Sequence, residues 1–378
     1  MEKKPVLVYY SEDCHADNDT TILKHLTNDF KVVCFYLYES AQKDMMRYNP
    51  EWMKSYADKN GIILEIVDPK RRRRDFRNVR YYKSVADRIN SYGPQIVYCC
   101  QSFPFWAYCY NEIKCENKVL GVHDVLLHSY KFSIPKILMQ KYKEVLLKRF
   151  KHLITFSNNQ HDILERKFGK ESFMVGMSLK DFGKSAFKPA PINDGIKLLF
   201  FGIISLYKGL DLLIKALEEL REEGITNLSL TIAGKGESWD DCKKFIKTQE
   251  MFNLKVRFIE NDEIPDLMSS HHFIVLPYRN ATQSGPLVAA IAYELPIIAP
   301  RYGCFTEMLS EDNSILYNQG DLKETIRRVS QMKQGDYDSL KEKISFLKDK
   351  YSEENIAKNY TNAFYKILGK SEKLELTI

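Results

Sequence analysis

No apolar run in this chain approaches the roughly 20 residues that a membrane-crossing helix needs, so no membrane span is expected. The opening residues, MEKKPVLVYY, enter a strand-like run almost at once, which leaves no room for a signal peptide. None of the eight cysteines (Cys14, Cys34, Cys99, Cys100, Cys109, Cys115, Cys242 and Cys304) stands in a C-x-x-C pair. Most lie in apolar runs such as VVCFY and VYCCQ. They read as small core residues in a reducing cytosol, not as a zinc site or a disulfide framework. No large excess of charge exists either, the net charge being +6. The balance of 44% hydrophobic and 28% charged residues excludes a disordered chain. At 378 residues the chain is too long for one ordinary core and suits two domains of about 150–200 residues each.

Positive charge is concentrated in KRRRRDFRNVR (70–80) and KFSIPKILMQKYKEVLLKRFKH (131–152). Such segments either attract phosphates or form a solvated face. They lack interleaved aromatic platforms or a known reading module, so no nucleic-acid partner is expected.

The first half alternates strand and helix. Strands are predicted at 5–10, 31–37, 61–67, 95–100, 119–124, 152–157 and 172–177, with helical patches such as 84–92 and 158–168 between them. Residues 178–195, SLKDFGKSAFKPAPINDG, carry two Pro and two Gly and read as a linker and boundary. The alternation restarts at 196–202, 228–234, 255–260, 273–277, 296–300 and 314–317. The clearest helix is 207–223, with Leu210, Leu213, Ile214, Leu217 and Leu220 on one stripe and Asp211, Lys215, Glu218 and Arg221 facing away. Continuous apolar strands separated by helices specify parallel sheets covered on both faces. The expected fold class is α/β, with two tandem Rossmann-like, doubly wound domains facing a cleft. The expected limits are 1–180, a linker at 181–195, a second domain at 196–350, and a C-terminal helix in 351–378 that crosses back to the first domain. Ligands of such sheets bind where strands end and helices begin.

Three such ends in the second half carry glycine. In FFGIISLYKGLDLL (200–213), Gly202 allows a tight turn and Lys208 stands near a helix start. A helix N-terminus offers free N–H groups and a positive dipole end to a phosphate. The alternative is an ordinary turn glycine and a solvated lysine. LTIAGKGE (230–237) repeats the pattern with Gly234 and Lys235. In YRNATQSGPLVAA (278–290), Arg279 leads into a turn where Thr282 or Ser284 caps the helix, Gly285 permits close approach, and Pro286 fits the first helical turn.

The order FFGxIxxYKGLDLLIxA, IAGKGE, VLPYRNATQSGxLxxAxAxxxPIIA and GCFTE resembles the nucleotide-sugar-binding domain of family 4 glycosyltransferases of the GT-B fold (glycosyl transferases group 1). VHDVLLH (122–128) and HLITFSNNQHDILERKFG (152–169) are similar to the family's cleft segments in the first domain. The resemblance spans roughly 95–310. It implies a glycosyltransferase that moves a sugar from a nucleoside-diphosphate sugar to a hydroxyl of a glycan or lipid-linked acceptor, with retention, in surface polysaccharide or glycoconjugate synthesis. It implies that Lys208, with Gly202, binds the donor diphosphate, that Gln283, Ser284, Gly285 and Pro286 cradle the same group with Arg279 nearby, that Gly234 and Lys235 lie near the base, and that Glu307 approaches the sugar or ribose. His123 falls at the reacting centre, with Asp124 and His128 on the acceptor side. No cofactor or metal is implied. Because acceptors of related enzymes are often lipid-linked, 131–152 is expected to rest on an anionic membrane, which places a cytoplasmic protein at the inner face.

The chain departs from the family pattern in three places. Ile203 to Leu206 supply no Arg after Gly202, Ala281 and Ala289 stand where many members carry two Glu, and SEDCHADNDTT (11–21) replaces a Gly-Gly turn. The Asp17-Asn18-Asp19 triplet there resembles a metal-holding motif of another glycosyltransferase fold. Lying far in sequence from the nucleotide motifs, it is expected to be a solvated turn and helix cap, and His15 a surface or packing residue. Two other readings remain open: a sugar-nucleotide epimerase of the same architecture, and a non-catalytic relative acting as a binding subunit.

Overall fold

The computed structural model describes residues 3–46, 48–72, 75–100, 103–126 and 134–370. The chain forms two compact units, 1–178 with 352–378, and 179–351.

The first unit is built on a parallel sheet of seven strands: β1 (Val6–Glu12), β2 (Lys31–Leu37), β3 (Ile63–Val67), β4 (Ile96–Cys100), β5 (Lys118–Val122), β6 (His152–Thr155) and β7 (Phe173–Met174), in the order β3-β2-β1-β4-β5-β6-β7. The central strands are almost wholly buried because helices cover both faces, which is why they read as unbroken apolar runs. Val8, Tyr10, Val33, Phe35, Val97, Trp106, Leu120 and Leu147 belong to one continuous core. The C-terminal helix Glu353–Ile367 belongs to this unit. It packs on the helix Asp13–Leu26, inserts Phe364 edge-on against Phe30 and Tyr98, and ties Asn359 to the carbonyl of Val175.

The second unit has a six-stranded parallel sheet: β8 (Ile196–Phe201), β9 (Leu228–Ala233), β10 (Phe252–Lys255), β11 (Phe273–Val275), β12 (Ile297–Pro300) and β13 (Ile315–Tyr317), in the order β10-β9-β8-β11-β12-β13. The helix Leu210–Glu222 buries its predicted stripe of Leu210, Leu213, Ile214, Leu217 and Leu220 in this unit's core.

The structure differs from expectation in several elements. β10 ends at Lys255, where the predicted strand 255–260 begins. Residues 181–195 belong to the second unit: Ile192 is in its core, and the Ile192 N–H donates to Gln334. The triplet Asp17-Asn18-Asp19 is not solvated. It lies on the helix Asp13–Leu26 and is buried. Asp19 accepts hydrogen bonds of 2.6 Å from both the Tyr9 and Ser11 hydroxyls, and Asp17 accepts from Tyr48 at 2.8 Å. Asp19 fastens the helix to β1, and Asp17 ties it to the loop that carries Tyr48. Glu218 likewise does not face away. It is buried and accepts from the Lys247 and Thr248 N–H groups and the Thr248 hydroxyl. Seven cysteines are buried, but Cys14 is exposed.

Candidate functional site

In the second unit, the connections after β8, β9 and β11 leave neighbouring strand ends. The first two are stitched together by backbone. The Gly202 N–H donates to Ala233 at 2.9 Å, and the Ile204 N–H to Lys235 at 3.0 Å. A Cβ on Gly234 would overlap the carbonyl of Gly202, and one on Gly236 that of Ile204. Glycine is required there so that two backbones can touch, and Gly234 also has φ +143°. Lys235 is exposed, with its ammonium 5.5 Å from the Phe258 ring centre.

Lys208 ends a 3-10 turn, Leu206–Lys208, and is only 6% exposed. This rules out a solvated lysine. Its ammonium lies 5.0 Å from the centre of the Tyr278 ring. The site where Gly202 lacks a Cβ is 3.3 Å from Lys208 Nζ and 3.2 Å from Pro286 Cγ. Burial pushes the Lys208 pKa down, opposed only by Tyr207 and Cys304. No carboxylate among the described residues pairs with it. An ammonium removed from water without a counter-charge is costly, so an anion at this spot would be strongly favoured.

The helix start that faces this lysine is not the expected one. At Gly209 a Cβ would overlap the Pro277 carbonyl, so the start of Leu210–Glu222 is packed against backbone. The helix Gly285–Ala292 supplies the other candidate. Ser284 caps it, accepting from the Leu287 N–H at 3.3 Å, and shares a 3.1 Å hydrogen bond with the Tyr278 hydroxyl. Pro286 occupies a first-turn position whose N–H would go unpaired. Gly285 carries no side chain, and Lys180 Nζ lies 4.0 Å from where its Cβ would be. Thr282 and Gln283 are half-buried on the approach.

Arg279 has another task. It forms a two-pronged ion pair with Asp211 at 2.8 and 2.7 Å, and donates to the Leu206 carbonyl at 2.7 Å. It clamps the turn that carries Lys208 to the end of β11. Ala281 is buried, and its carbonyl accepts from the Cys304 N–H at 3.1 Å. Ala289 is buried inside its helix. Glu307 is half-buried on the short helix Cys304–Met308. Burial, with Glu307 adding to it, pushes the Cys304 thiol up.

In the first unit, His123 and Asp124 follow β5. The His123 ring lies between two others, 4.1 Å from Phe156 and 4.4 Å from His15, nearly parallel to both. The Asp124 carbonyl accepts from Lys143 at 2.6 Å, and the Val125 N–H donates to Gln160 at 2.6 Å. Lys143 is itself buried, which lowers its pKa. The segment is thus pinned from two helices. His128 lies outside the described residues.

The structure therefore brings together Gly202, Lys208, Ser284, Gly285 and Pro286 in one unit, and His123 and Asp124 in the other. Sequence reasoning missed Tyr278, Cys304 and Lys180 around the first group, and Cys100 and Phe156 around the second, whereas His15, expected to be a surface or packing residue, stacks on His123. Tyr278, Cys100 and Phe156 each stand at or just beyond a strand end. Their position was the signal available, because their residue types fit an ordinary core.

Residues 195–334 match the family described as Glycosyl transferases group 1. A GDP-mannose:glycolipid 4-beta-D-mannosyltransferase of Xanthomonas campestris pv. campestris is 26% identical over 108 residues, covering 28% of this chain and 30% of that relative. A glycosyltransferase structure from Rickettsia africae ESF-5 superposes with a TM-score of 0.69 at 14% identity, over 97% of this chain and 100% of that one. Anabaena Alr3699/HepE, solved in complex with UDP and glucose, gives 0.70 at 12% identity, over 96% and 100%. The fold is the two-domain α/β fold of GT-B glycosyltransferase structures.

Proposed function

We propose that this chain is a glycosyltransferase that moves a sugar from a nucleoside-diphosphate sugar to a hydroxyl of a glycan or lipid-linked acceptor. The observation that carries the reading is the buried Lys208 ammonium, paired with no acid among the described residues, beside Gly202 and the start of the helix Gly285–Ala292. The match of residues 195–334 to a glycosyltransferase family supports it.

As the bond from sugar to diphosphate breaks, negative charge grows on the departing phosphate. A preorganised ammonium and helix N–H groups stabilise that charge without rearranging. The bond to the acceptor oxygen forms on the face the phosphate leaves, and the phosphate takes the acceptor's proton, so configuration is retained. No nucleophilic side chain is needed, and the reading calls for no metal or other cofactor. His123, its ring plane fixed between Phe156 and His15, orients the sugar or assists the phosphate. Ser284, Gly285, Pro286 and Gln283 receive the diphosphate, and Gly234, Lys235 and Glu307 contact the nucleoside or sugar. Arg279 holds the lysine turn in place.

The test is a thermal-shift panel with UDP, GDP, dTDP, ADP and CMP on wild type and Lys208→Ala. A nucleotide at a hundredfold excess over its dissociation constant adds about 2.7 kcal/mol to stability. One diphosphate should raise Tm in the wild type and fail to do so in the variant. Turnover of the matching donor sugar should fall ~10²–10³-fold in Lys208→Ala. No shift with any nucleotide would favour the non-catalytic relative. Donor turnover with no acceptor present would favour the epimerase.

The helix Ile134–Arg149 supports a peripheral membrane position for the acceptor side, at the inner face of the membrane. Leu138, Lys141, Val145 and Lys148 are all exposed at spacings of three and four, so a mixed apolar and basic stripe faces outward. Leu146 and Leu147 hold the other side in the core. Co-sedimentation with anionic vesicles is expected at low salt and should weaken in 0.5 M salt, roughly, as screening shortens the reach of the lysines. Failure to bind at low salt would remove the membrane from the reading.

A further inference from the structure

Three soft or borderline-soft donors meet at the C-terminal edge of the first sheet. His15 comes from the first turn of the helix that follows β1, Cys100 is the last residue of β4, and His123 follows β5. These three strands are adjacent, in the order β1-β4-β5. One imidazole nitrogen from each histidine and the Cys100 sulfur all lie within 4.8 Å of one another. We propose that His15, Cys100 and His123 form a binding site for a zinc-class divalent cation, with a fourth position open to solvent or to a ligand.

The donor set is the kind such ions take. Zinc binds thiolate at about 2.3 Å and imidazole at about 2.0–2.1 Å, with four ligands near tetrahedral. Ligand atoms around it then lie about 3.3–3.7 Å apart, so the three donors here must close by about an ångström. Hard oxygen-seeking cations such as Ca²⁺ or Mg²⁺ would not choose two imidazoles and a sulfur. The rings of His15 and His123 are now parallel within 4°. Their lone pairs lie in their ring planes, so parallel rings cannot both point at one ion. One ring must turn. His123 is confined between His15 and Phe156, so the ring that turns is His15, which is only half-buried at the start of its helix. Cys100 is 6% exposed and its sulfur lies 3.2 Å from the Tyr98 hydroxyl. On binding, its S–H bond breaks, the proton passes to solvent, and the sulfur pair forms the bond to the ion.

The site is not a cofactor site for sugar transfer. It takes His123, the residue assigned to the reacting centre, so a bound ion withdraws that imidazole from any other work. The site would make the first unit sensitive to soft metal ions. This inference rests on the first unit's own geometry and stands apart from the nucleotide reading, since its test uses no nucleotide.

The test is titration of the chelator-treated full chain with Co²⁺, followed by its absorption, with Zn²⁺ competition read by calorimetry. One Co²⁺ per chain should bind and give a thiolate-to-metal charge-transfer band, which Zn²⁺ abolishes. Cys100→Ser should lose the band. His15→Phe keeps a ring to stack on His123 but removes a ligand. It should weaken binding by at least the roughly 10–100-fold that losing even an outer-shell partner costs. Cys14→Ser, at the exposed neighbouring cysteine, should leave both band and affinity unchanged. Circular dichroism establishes that each variant is folded. Absence of a thiolate band in the wild type overturns the proposal. So does a band that survives in folded Cys100→Ser, an affinity unchanged in folded His15→Phe, or a band lost in Cys14→Ser.

Discussion

At the residue scale, Lys208 and His271 are basic side chains that the second unit hides for different ends. Lys208 keeps a buried ammonium with no acid partner among the described residues, and its purpose is legible only if an anion arrives. His271 is buried as a neutral link. One ring nitrogen lies 2.7 Å from the Leu267 carbonyl and the other 2.7 Å from the Thr231 hydroxyl. Burial pushes its pKa down to about 4, with Lys197, Lys255 and His272 adding to the effect and the Leu267 hydrogen bond opposing it. The unfolded chain takes up this proton near pH 6.5, the folded one near 4. Between those values the unfolded state binds more protons, so stability is full above the upper value and falls as pH drops toward the lower. The loss is on the order of 3 kcal/mol. Tm measured from pH 7 to 4 should fall more steeply for wild type than for His271→Gln. Parallel curves would show that His271 does not titrate across this range.

At the element scale, the helix Leu210–Glu222 does more than fill its side of the core. Its buried Glu218 receives three hydrogen bonds from Lys247 and Thr248 and so fixes the otherwise irregular path between the 3-10 turns Lys243–Phe245 and Gln249–Met251. Glu218→Ala removes the acceptor of three part-buried hydrogen bonds, each contributing about 1 kcal/mol. The urea midpoint should drop accordingly, whereas Lys215→Ala on the outer face should change it little. Glu218 also marks where reading the sequence stopped. Periodicity located the helix and its apolar stripe because both depend on local spacing. It assigned Glu218 to the solvent face because nothing local reveals a loop returning thirty residues later. Asp19 was misread for the same reason, since its partners Tyr9 and Ser11 lie on a strand. Arg279 was legible as a cation near the turn, but its pairing with Asp211 bridges residues far apart in sequence. The glycines did better: Gly202 and Gly234 carry their constraint in their own backbone, so residue type alone pointed to them.

At the scale of the whole molecule, the first unit is discontinuous and the second is not. The helix Glu353–Ile367 supplies Ile356, Tyr360 and Phe364 to the first unit's interior. A chain ending at Tyr351 should therefore lose amide protection across β1, β2 and β4 while β8, β9 and β11 keep theirs. Hydrogen exchange followed by peptide mass analysis reads both units in one experiment. Uniform protection in the shortened chain would mean that the helix is an accessory. The ends of the second unit are joined by a hydrogen bond, the Leu179 N–H donating to the Tyr351 carbonyl at 3.1 Å. That pairing makes the second unit a closed insertion, and it reverses the usual order of events on the ribosome. The N-terminal sheet emerges first but waits on the order of ten seconds, at about 5–20 residues per second, for its last helix. The inserted unit, made later, has all its parts beforehand and can finish first.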